Sequence, residues 1–337
     1  MKAYQIVAGR GIDSLQQVER PLREAQPHEV LVRIRAVSLN YRDLMVARGD
    51  YLVTSGAPLV PTSDAAGEVV AVGSSINKYR VGDRVMSTFF PRWIEGAPTP
   101  EKTSVAPGGN VDGVLATHAF FNEESLVRIP AHLDFNEAAT LTCAGVTAWN
   151  SLFVEAGLKA GDSVLLLGTG GVSIWGLQLG KAAGLRTIVT SSSDAKLERA
   201  RALGANETIN YKQHPEWQKE VLRLTDGLGV NLVIEVGGAG TLRRSVASTK
   251  MGGTVAIVGG VSGFGGDFEP FALIGGARRL SGIYVGSRQM FEDMNALIDV
   301  SKIRPVVDRV FAFDDAQAAY RHLDSGQHFG KVVIGLE

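Results

Sequence analysis

The sequence predicts an α/β protein built from a doubly wound parallel sheet and a β-rich unit that precedes it. Three observations carry this prediction. From Glu137 onward, short apolar runs alternate with helical patterns, as in a parallel sheet whose strands are joined by helical crossovers. Within that region residues 162–173 read Asp-Ser-Val-Leu-Leu-Leu-Gly-Thr-Gly-Gly-Val-Ser. This is an apolar run too short for a helix, ending in a glycine turn where a helical pattern starts at once. Residues 1–122, by contrast, hold short alternating β segments such as Glu29–Val37 and Ala66–Gly73, separated by turns.

At 337 residues the chain is long enough for two domains and too long for one ordinary core. Its 34 basic and 35 acidic residues suggest neither a nucleic-acid nor a membrane surface, and no apolar run approaches a membrane span. The N-terminus leads straight into a strand, Ala3–Val7, without a signal-peptide pattern. The single cysteine, Cys143, excludes a disulfide framework and any multi-cysteine zinc site. The expected compartment is the cytoplasm.

In the first part a further short strand is expected at Gly82–Met86, and the Pro-, Gly- and Thr-rich stretch Arg92–Gly113 reads as a long surface loop, functional or mobile. In the second part strands are expected at Ser163–Leu167, Thr187–Thr190, Glu207–Asn210, Asn231–Val236, Thr254–Val258 and Leu280–Val285. Helices lie between them, at Asp194–Leu203 behind a Ser193-Asp194 cap and at Pro215–Thr225. Helices near Met290–Val300 and Asp314–Gly326 and a last strand, Lys331–Gly335, pack back on the first part. The expected domains are therefore 1–122 completed by 287–337, and 123–286.

The glycine turn has a chemical reading. Gly168 permits a tight turn, and Gly170 lets backbone approach a pyrophosphate with no Cβ in the way. Gly171 and Val172 then open a helix whose free N–H groups face the phosphate. The third glycine of the dinucleotide fingerprint is replaced by Ser173, so the motif is imperfect and its strand–turn–helix context carries the argument. Gly237-Gly238 and Val258-Gly259-Gly260 end the fourth and fifth strands, where glycines let ribose and nicotinamide lie against backbone.

With these residues in view, the chain resembles the medium-chain dehydrogenase/reductase superfamily, the alcohol dehydrogenase and quinone oxidoreductase group. Its anchors are Asn40-Tyr41-Arg42-Asp43, Pro61–Val69, Gly82-Asp83-Arg84-Val85, Ala138–Leu141, Gly145–Trp149, the glycine turn and Ala202–Ala205. The resemblance covers essentially the whole chain. It implies a GroES-like β-barrel domain, a Rossmann domain, and a nicotinamide cofactor held in a cleft between them.

The departures are informative. Where zinc-dependent relatives carry Gly-His-Glu, this chain has Thr62-Ser63-Asp64; their first cysteine ligand falls at Asn40, and only Cys143 survives. A catalytic zinc needs about three protein ligands, so a zinc-independent branch is expected. The hydroxyl and histidine of the alcohol-oxidising proton relay are replaced by Arg42 and Met45. The residue that discriminates NAD from NADP falls at Ser191, followed by Ser192 and Ser193, with Lys196 one turn into the next helix. Lacking a carboxylate to meet the ribose, this corner favours NADP(H). Asp194 is the counter-signal, and as a helix cap it would face the helix N–H groups instead. The resemblance also places Tyr211, Arg288 and Lys331 near the cofactor.

For catalysis the candidates are Asn40 beside the nicotinamide, Tyr41 or Tyr51 as proton donor, Asp43 and Thr147. Asp43 is read first as an acceptor of local backbone N–H groups, and Asn40 as either a catalytic amide or a strand-end amide. Cys143 is read as an inert, buried thiol. Among the six histidines, His118 alone lies near the domain junction. Phe89, Phe90 and Trp93 are either a substrate wall or barrel core. The function expected is hydride transfer from NADPH to a small carbonyl substrate, a quinone or an activated enone. The alternatives are a metal-free alcohol dehydrogenase or carbonyl reductase, and a non-catalytic NADP(H)-binding sensor or interaction protein. Apolar sixth-strand residues Leu280, Ile283 and Tyr284, and the habit of the family, suggest a homodimer.

Overall fold

The computed structural model describes residues 1–51, 56–263, 265 and 269–336. They form two compact units: residues 1–146 with 286–337, and Thr147–Val285.

The first unit is built on a seven-stranded sheet centred on Glu29–Ser38 and Asp64–Val72, which pair antiparallel along their length. Register irregularities at Leu31/Val32 and Ile34/Ala36 bend Glu29–Ser38. Its first half therefore also pairs with His118–Asn122, while its last residues meet Lys331–Gly335. Seven of its ten residues are buried, because Val30, Val32, Ile34 and Val37 enter the main core, with Leu39 just beyond the strand's end, while the helix Phe135–Ala139 packs against the sheet. At Gly67 an added Cβ would sit 2.3 Å from Arg33 O, so only glycine allows the two strands this approach. As expected, the C-terminal segment returns here: Lys331–Gly335 pairs with Val307–Ala312 on one side and Glu29–Ser38 on the other.

The second unit is a six-stranded parallel sheet in the order Glu207–Asn210, Arg186–Ser191, Ser163–Leu166, Val230–Glu235, Thr249–Ile257, Arg279–Gly282. In chain order this is 3-2-1-4-5-6, the doubly wound arrangement with its switch point beside the first strand. Leu165, Ile188, Val233 and Val255 are fully buried, the signature of strands covered on both faces.

One expectation is corrected. Residues 123–146 belong with the first unit, because Leu126–Arg128 pairs with Arg84–Ser87 and Phe135–Ala139 packs on Glu29–Ser38 and Asp64–Val72. The stretch 92–113 lies largely at the surface, as expected, with one short helix, Pro100–Thr103, and is anchored at several points. Trp93 is buried with its Nε1 donating to Gly96 O, and Gly113 N donates to Val60 O. Cβ atoms added at Gly108 and Gly113 would lie 2.4 and 2.0 Å from Thr62 backbone atoms.

Candidate active site

Each unit carries one half of the candidate chemistry. In the parallel sheet the strand Ser163–Leu166 passes through Gly168, at φ 73°, into the helix Gly171–Ala182. Gly170 is its N-cap and supplies no side-chain acceptor, so the N–H groups of the first turn stay available to a phosphate. Ser173, in place of the third glycine, donates from Oγ to Leu167 O at 2.7 Å and ties the helix start to the strand end. The close helix–strand approach is made at Gly176, where a Cβ would meet Leu166 Cδ2 at 2.8 Å. Gly171 and Val172 lie in that first turn.

At the end of Arg186–Ser191, Ser191 is buried and its Oγ accepts from Ser193 N at 3.3 Å. Tyr211 N donates to Ser191 O at 3.0 Å, so Ser191, Ser192, Ser193 and Tyr211 form one corner, with Lys196 a turn further along the helix that Ser193 caps. Asp194 is turned differently from the sequence expectation. Its carboxylate accepts from Asn210 Nδ2 at 2.7 Å and Gln213 Nε2 at 3.0 Å, not from helix N–H groups. Two strands on, Glu235 is fully buried, and its Oε1 accepts from Gly237 N, Gly238 N and Thr241 Oγ1 at 2.6–3.0 Å. Ser245 Oγ donates to its other oxygen. Its carbonyl receives Val258 N at 2.8 Å and Gly259 N at 3.4 Å, which gathers Gly237, Val258 and Gly259. Sequence reasoning passed over Glu235, although an acid closing the apolar run Leu232-Val233-Ile234 was its signal. The sequence also reads the glycine-rich loop 262–268 as mobile and lining the substrate entrance; it lies mostly outside the described residues. A glycine turn and an uncapped helix start at a sheet's switch point fit a nicotinamide dinucleotide.

In the first unit, buried polar residues gather at the start of the helix Tyr41–Arg48. Asn40 is its N-cap, and the Asp43 carboxylate accepts from Asn40 N at 2.8 Å. Asp43 is almost fully buried. Burial pushes its carboxyl up to about 6, against the opposing pull of the Arg42 guanidinium 3.7 Å away. Arg42 lies over Phe89, 4.6 Å from its ring centre, and 5.7 Å from that of Tyr51, and it donates from Nη2 to Pro107 O at 2.7 Å. Its Nε and Nη1 are buried without a partner. Burial works against its charge, but Asp43, Tyr51, Cys143 and Asp64 more than offset that. Lys331 is 4% exposed and donates from Nζ to Leu39 O at 2.5 Å and Asn40 Oδ1 at 2.6 Å. Asn40 Nδ2 is buried with no partner.

Below this cluster Thr62 holds φ 70°, a strained value for a β-branched residue. Ser63 Oγ donates to Asp64 Oδ1 at 2.6 Å, and Cys143 N to Asp64 Oδ2 at 3.0 Å. Cys143 sits on the π-helical turn Leu141–Gly145, a wide turn of the kind found at functional sites. Burial, then the Asp64 charge, pushes its thiol up to about 12, so it stays protonated.

Other sequence candidates stand elsewhere. The Tyr41 hydroxyl accepts from exposed Arg48 at 3.4 Å, whereas Tyr51 packs beside Arg42. Thr147 is buried in the parallel-sheet unit, its carbonyl accepting from Ser151 Oγ. Arg288 pairs with Glu124 in the first unit, and its N–H donates to Trp93 O. His118 lies half-buried against Thr117 Oγ1, its pKa lowered by burial. Phe89, Phe90 and Trp93 are buried, Phe90 meeting Phe89 edge to face and Trp93 at a tilt, with Phe89 beneath Arg42.

The positions that hold zinc in related chains do not fit the ion here. Asn40 turns its oxygen to an ammonium, and both Asp64 oxygens already accept hydrogen bonds. Among the described residues no group of three His, Cys, Asp or Glu could hold a metal.

Residues 26–131 match the alcohol dehydrogenase GroES-like domain family, and residues 171–300 the zinc-binding dehydrogenase family. A zinc-type alcohol dehydrogenase-like protein of Schizosaccharomyces pombe is 44% identical over 97% of this chain and 96% of its own length. The chain belongs to the medium-chain dehydrogenase/reductase superfamily. A Pseudomonas aeruginosa quinone oxidoreductase is 30% identical over 99% of both chains. The crystal structure of an NAD-dependent alcohol dehydrogenase superposes with a TM-score of 0.91 at 32% identity, covering all of both chains. As a member of this superfamily the protein is an oxidoreductase of the alcohol dehydrogenase and quinone oxidoreductase type. Among the described residues no helix is long and apolar enough to cross a membrane.

Proposed function

We propose that this protein is a zinc-independent, NADPH-dependent reductase that delivers hydride to a quinone or to the β-carbon of an activated enone. The observation that carries the reading is Asn40: a buried amide donor without a partner stands where related enzymes place a metal ligand. Bound NADPH supplies the hydride. Hydride addition to a conjugated acceptor moves negative charge onto the carbonyl oxygen, and a preorganised N–H donor in a buried site stabilises that charge. Quinones and enones are already polarised, so a hydrogen bond suffices where a simple ketone would call for a Lewis acid.

The serine corner at 191–193, without a carboxylate to repel a 2′-phosphate, supports NADP(H) over NAD(H). Gly168, Gly170, the first turn at Gly171 and Val172, Lys196, Tyr211, Gly237, Val258 and Gly259 complete the assigned cofactor site. The strand Arg279–Gly282 ends its sheet, with Phe271, Ile274 and Tyr284 exposed nearby, which supports a homodimer formed along that edge. The expected setting is the cytoplasm.

Asn40→Ala tests the assignment. It should lower kcat for enone reduction roughly 100-fold, as loss of one oxyanion donor does, while NADPH affinity measured by fluorescence titration stays as in the wild type. An unchanged kcat would remove Asn40 from the chemistry.

A further inference from the structure

The amide of Asn40 is not merely present; its orientation is imposed. The strand Lys331–Gly335 runs beside Ser38 and Leu39, with Leu39 N donating to Val332 O at 3.0 Å, and this brings Lys331 against the start of the helix Tyr41–Arg48. Gly330 makes the entry possible. It holds φ 81°, and a Cβ there would lie 2.4 Å from Val306 O. Lys331 Nζ then donates to Leu39 O at 2.5 Å and to Asn40 Oδ1 at 2.6 Å, inside a region where Lys331 is 4% and Asn40 8% exposed.

An ammonium has donors and no acceptor, so it dictates which end of a neighbouring amide faces it. With Oδ1 held on Lys331, Nδ2 must point away, and it is this atom that is buried without a partner in the protein. A buried, unsatisfied N–H is costly, and rotating the amide would set it against the ammonium. The contact also acts on the donor. A positive charge on the amide oxygen draws density from the nitrogen and makes Nδ2–H a stronger donor, as in a polarised hydrogen-bond chain. Asp43 and Asp64 nearby keep a buried site with two cations, Lys331 and Arg42, close to electrical balance.

We propose that Lys331 is a positioning residue for the acceptor and not a cofactor ligand: its ammonium fixes and polarises the Asn40 amide so that Nδ2 is offered to the substrate oxygen. This rests on the reading of Asn40 as the acceptor's hydrogen-bond donor. Lys331 itself forms no bond to the reacting atoms, and its charge arrives through Asn40.

A double-mutant cycle on the full-length protein tests this, with Asn40→Ala, Lys331→Met and the pair assayed for NADPH-dependent reduction of 2-cyclohexenone. Lys331→Met should lower kcat about 10- to 100-fold, less than the roughly 100- to 1000-fold cost of removing an oxyanion donor outright, with the NADPH dissociation constant unchanged. In the Asn40→Ala background the same substitution should cause no further loss. Lys331→Arg, which keeps a cation and donors, should recover part of kcat. Should Lys331→Met fail to fold, Lys331→Gln takes its place in the cycle with the same expectation. Multiplicative losses in the double mutant, or weaker NADPH binding in either single Lys331 variant, would overturn the proposal. Selective ¹⁵N-asparagine labelling separates this idea from the functional reading. The Asn40 side-chain amide resonance, assigned by its loss in Asn40→Ala, should shift in the Lys331 variant whether or not cyclohexenone is reduced. A resonance that stays in place means that Lys331 does not hold the amide. Wild-type protein inactive on enones and quinones, yet showing the shift, would instead remove the reductase reading alone.

Discussion

Arg42 and Asp43 open a helix with a cation and an anion, and only the anion suits that end of the helix dipole. The arginine is there for a different reason: it lies over Phe89, near Tyr51, and reaches Pro107 O. A cation misplaced in a first helical turn is a usable sequence signal, and reading Arg42 only as the replacement of a relay hydroxyl missed it. Asp43 carries a measurable consequence. Its carboxyl titrates near 3.8 when unfolded and at about 6 when folded, because burial outweighs Arg42. Between those values the folded chain binds more protons, so this group's share of stability is present at low pH and is lost as pH rises through about 6. Asp43→Asn removes that dependence. Thermal melts from pH 4 to pH 7 should show the variant gaining on the wild type by about 2–3 kcal/mol, the value of a two-unit shift. A constant difference across that range would contradict the assignment.

At the scale of elements, the parallel sheet was legible because its central strands are covered on both faces and read as nearly continuous apolar runs. Glu207–Asn210 and Lys331–Gly335 were located to the residue, and the others to within a few positions except at the start of Thr249–Ile257. There Gly252 and Gly253 interrupt the apolar pattern, and the pairing shifts register between Val230 and Leu232. The helix Tyr41–Arg48 was not legible. It spans eight residues, and burial of Arg42 and Asp43 breaks the polar-out pattern that marks a surface helix. The stretch 92–113 was read as a surface loop from its prolines and glycines. Here Gly108 and Gly113 serve close backbone packing on Thr62, which composition alone does not distinguish from a turn. Of the cofactor half, the glycine turn and the serine corner were legible; the route of Asp194 to Asn210 and Gln213 was not, since it depends on the neighbouring strand. That route frees the corner of carboxylate, and it leads to a prediction about the strand end. Ser191→Asp should reverse the ratio of kcat/KM for NADPH over NADH by roughly 10-fold or more, about 1.4 kcal/mol for each tenfold, by placing a carboxylate against the 2′-phosphate. Steady-state kinetics with both cofactors reads this directly, and an unchanged ratio would place cofactor choice elsewhere.

For the whole molecule, one departure from the expected plan and one expected feature share a cause. The first unit keeps residues 123–146 and takes back the C-terminal segment from 286, because both supply strands or helices to the sheet around Glu29–Ser38. That return carries Lys331 to Asn40 from 291 residues away in sequence. No local pattern could announce the pair. The same unit brings Asp64 to Cys143, and both Asp64 oxygens accept hydrogen bonds there. We propose that the superfamily framework is retained here while hydrogen-bonding side chains occupy its metal position. The most direct test is NADPH oxidation by chelator-treated protein offered a quinone, an enone and a simple ketone side by side. Turnover of the quinone or enone, unchanged by added zinc and absent with the ketone, is the predicted result. Turnover of the ketone, or activity that returns only with zinc, would contradict it.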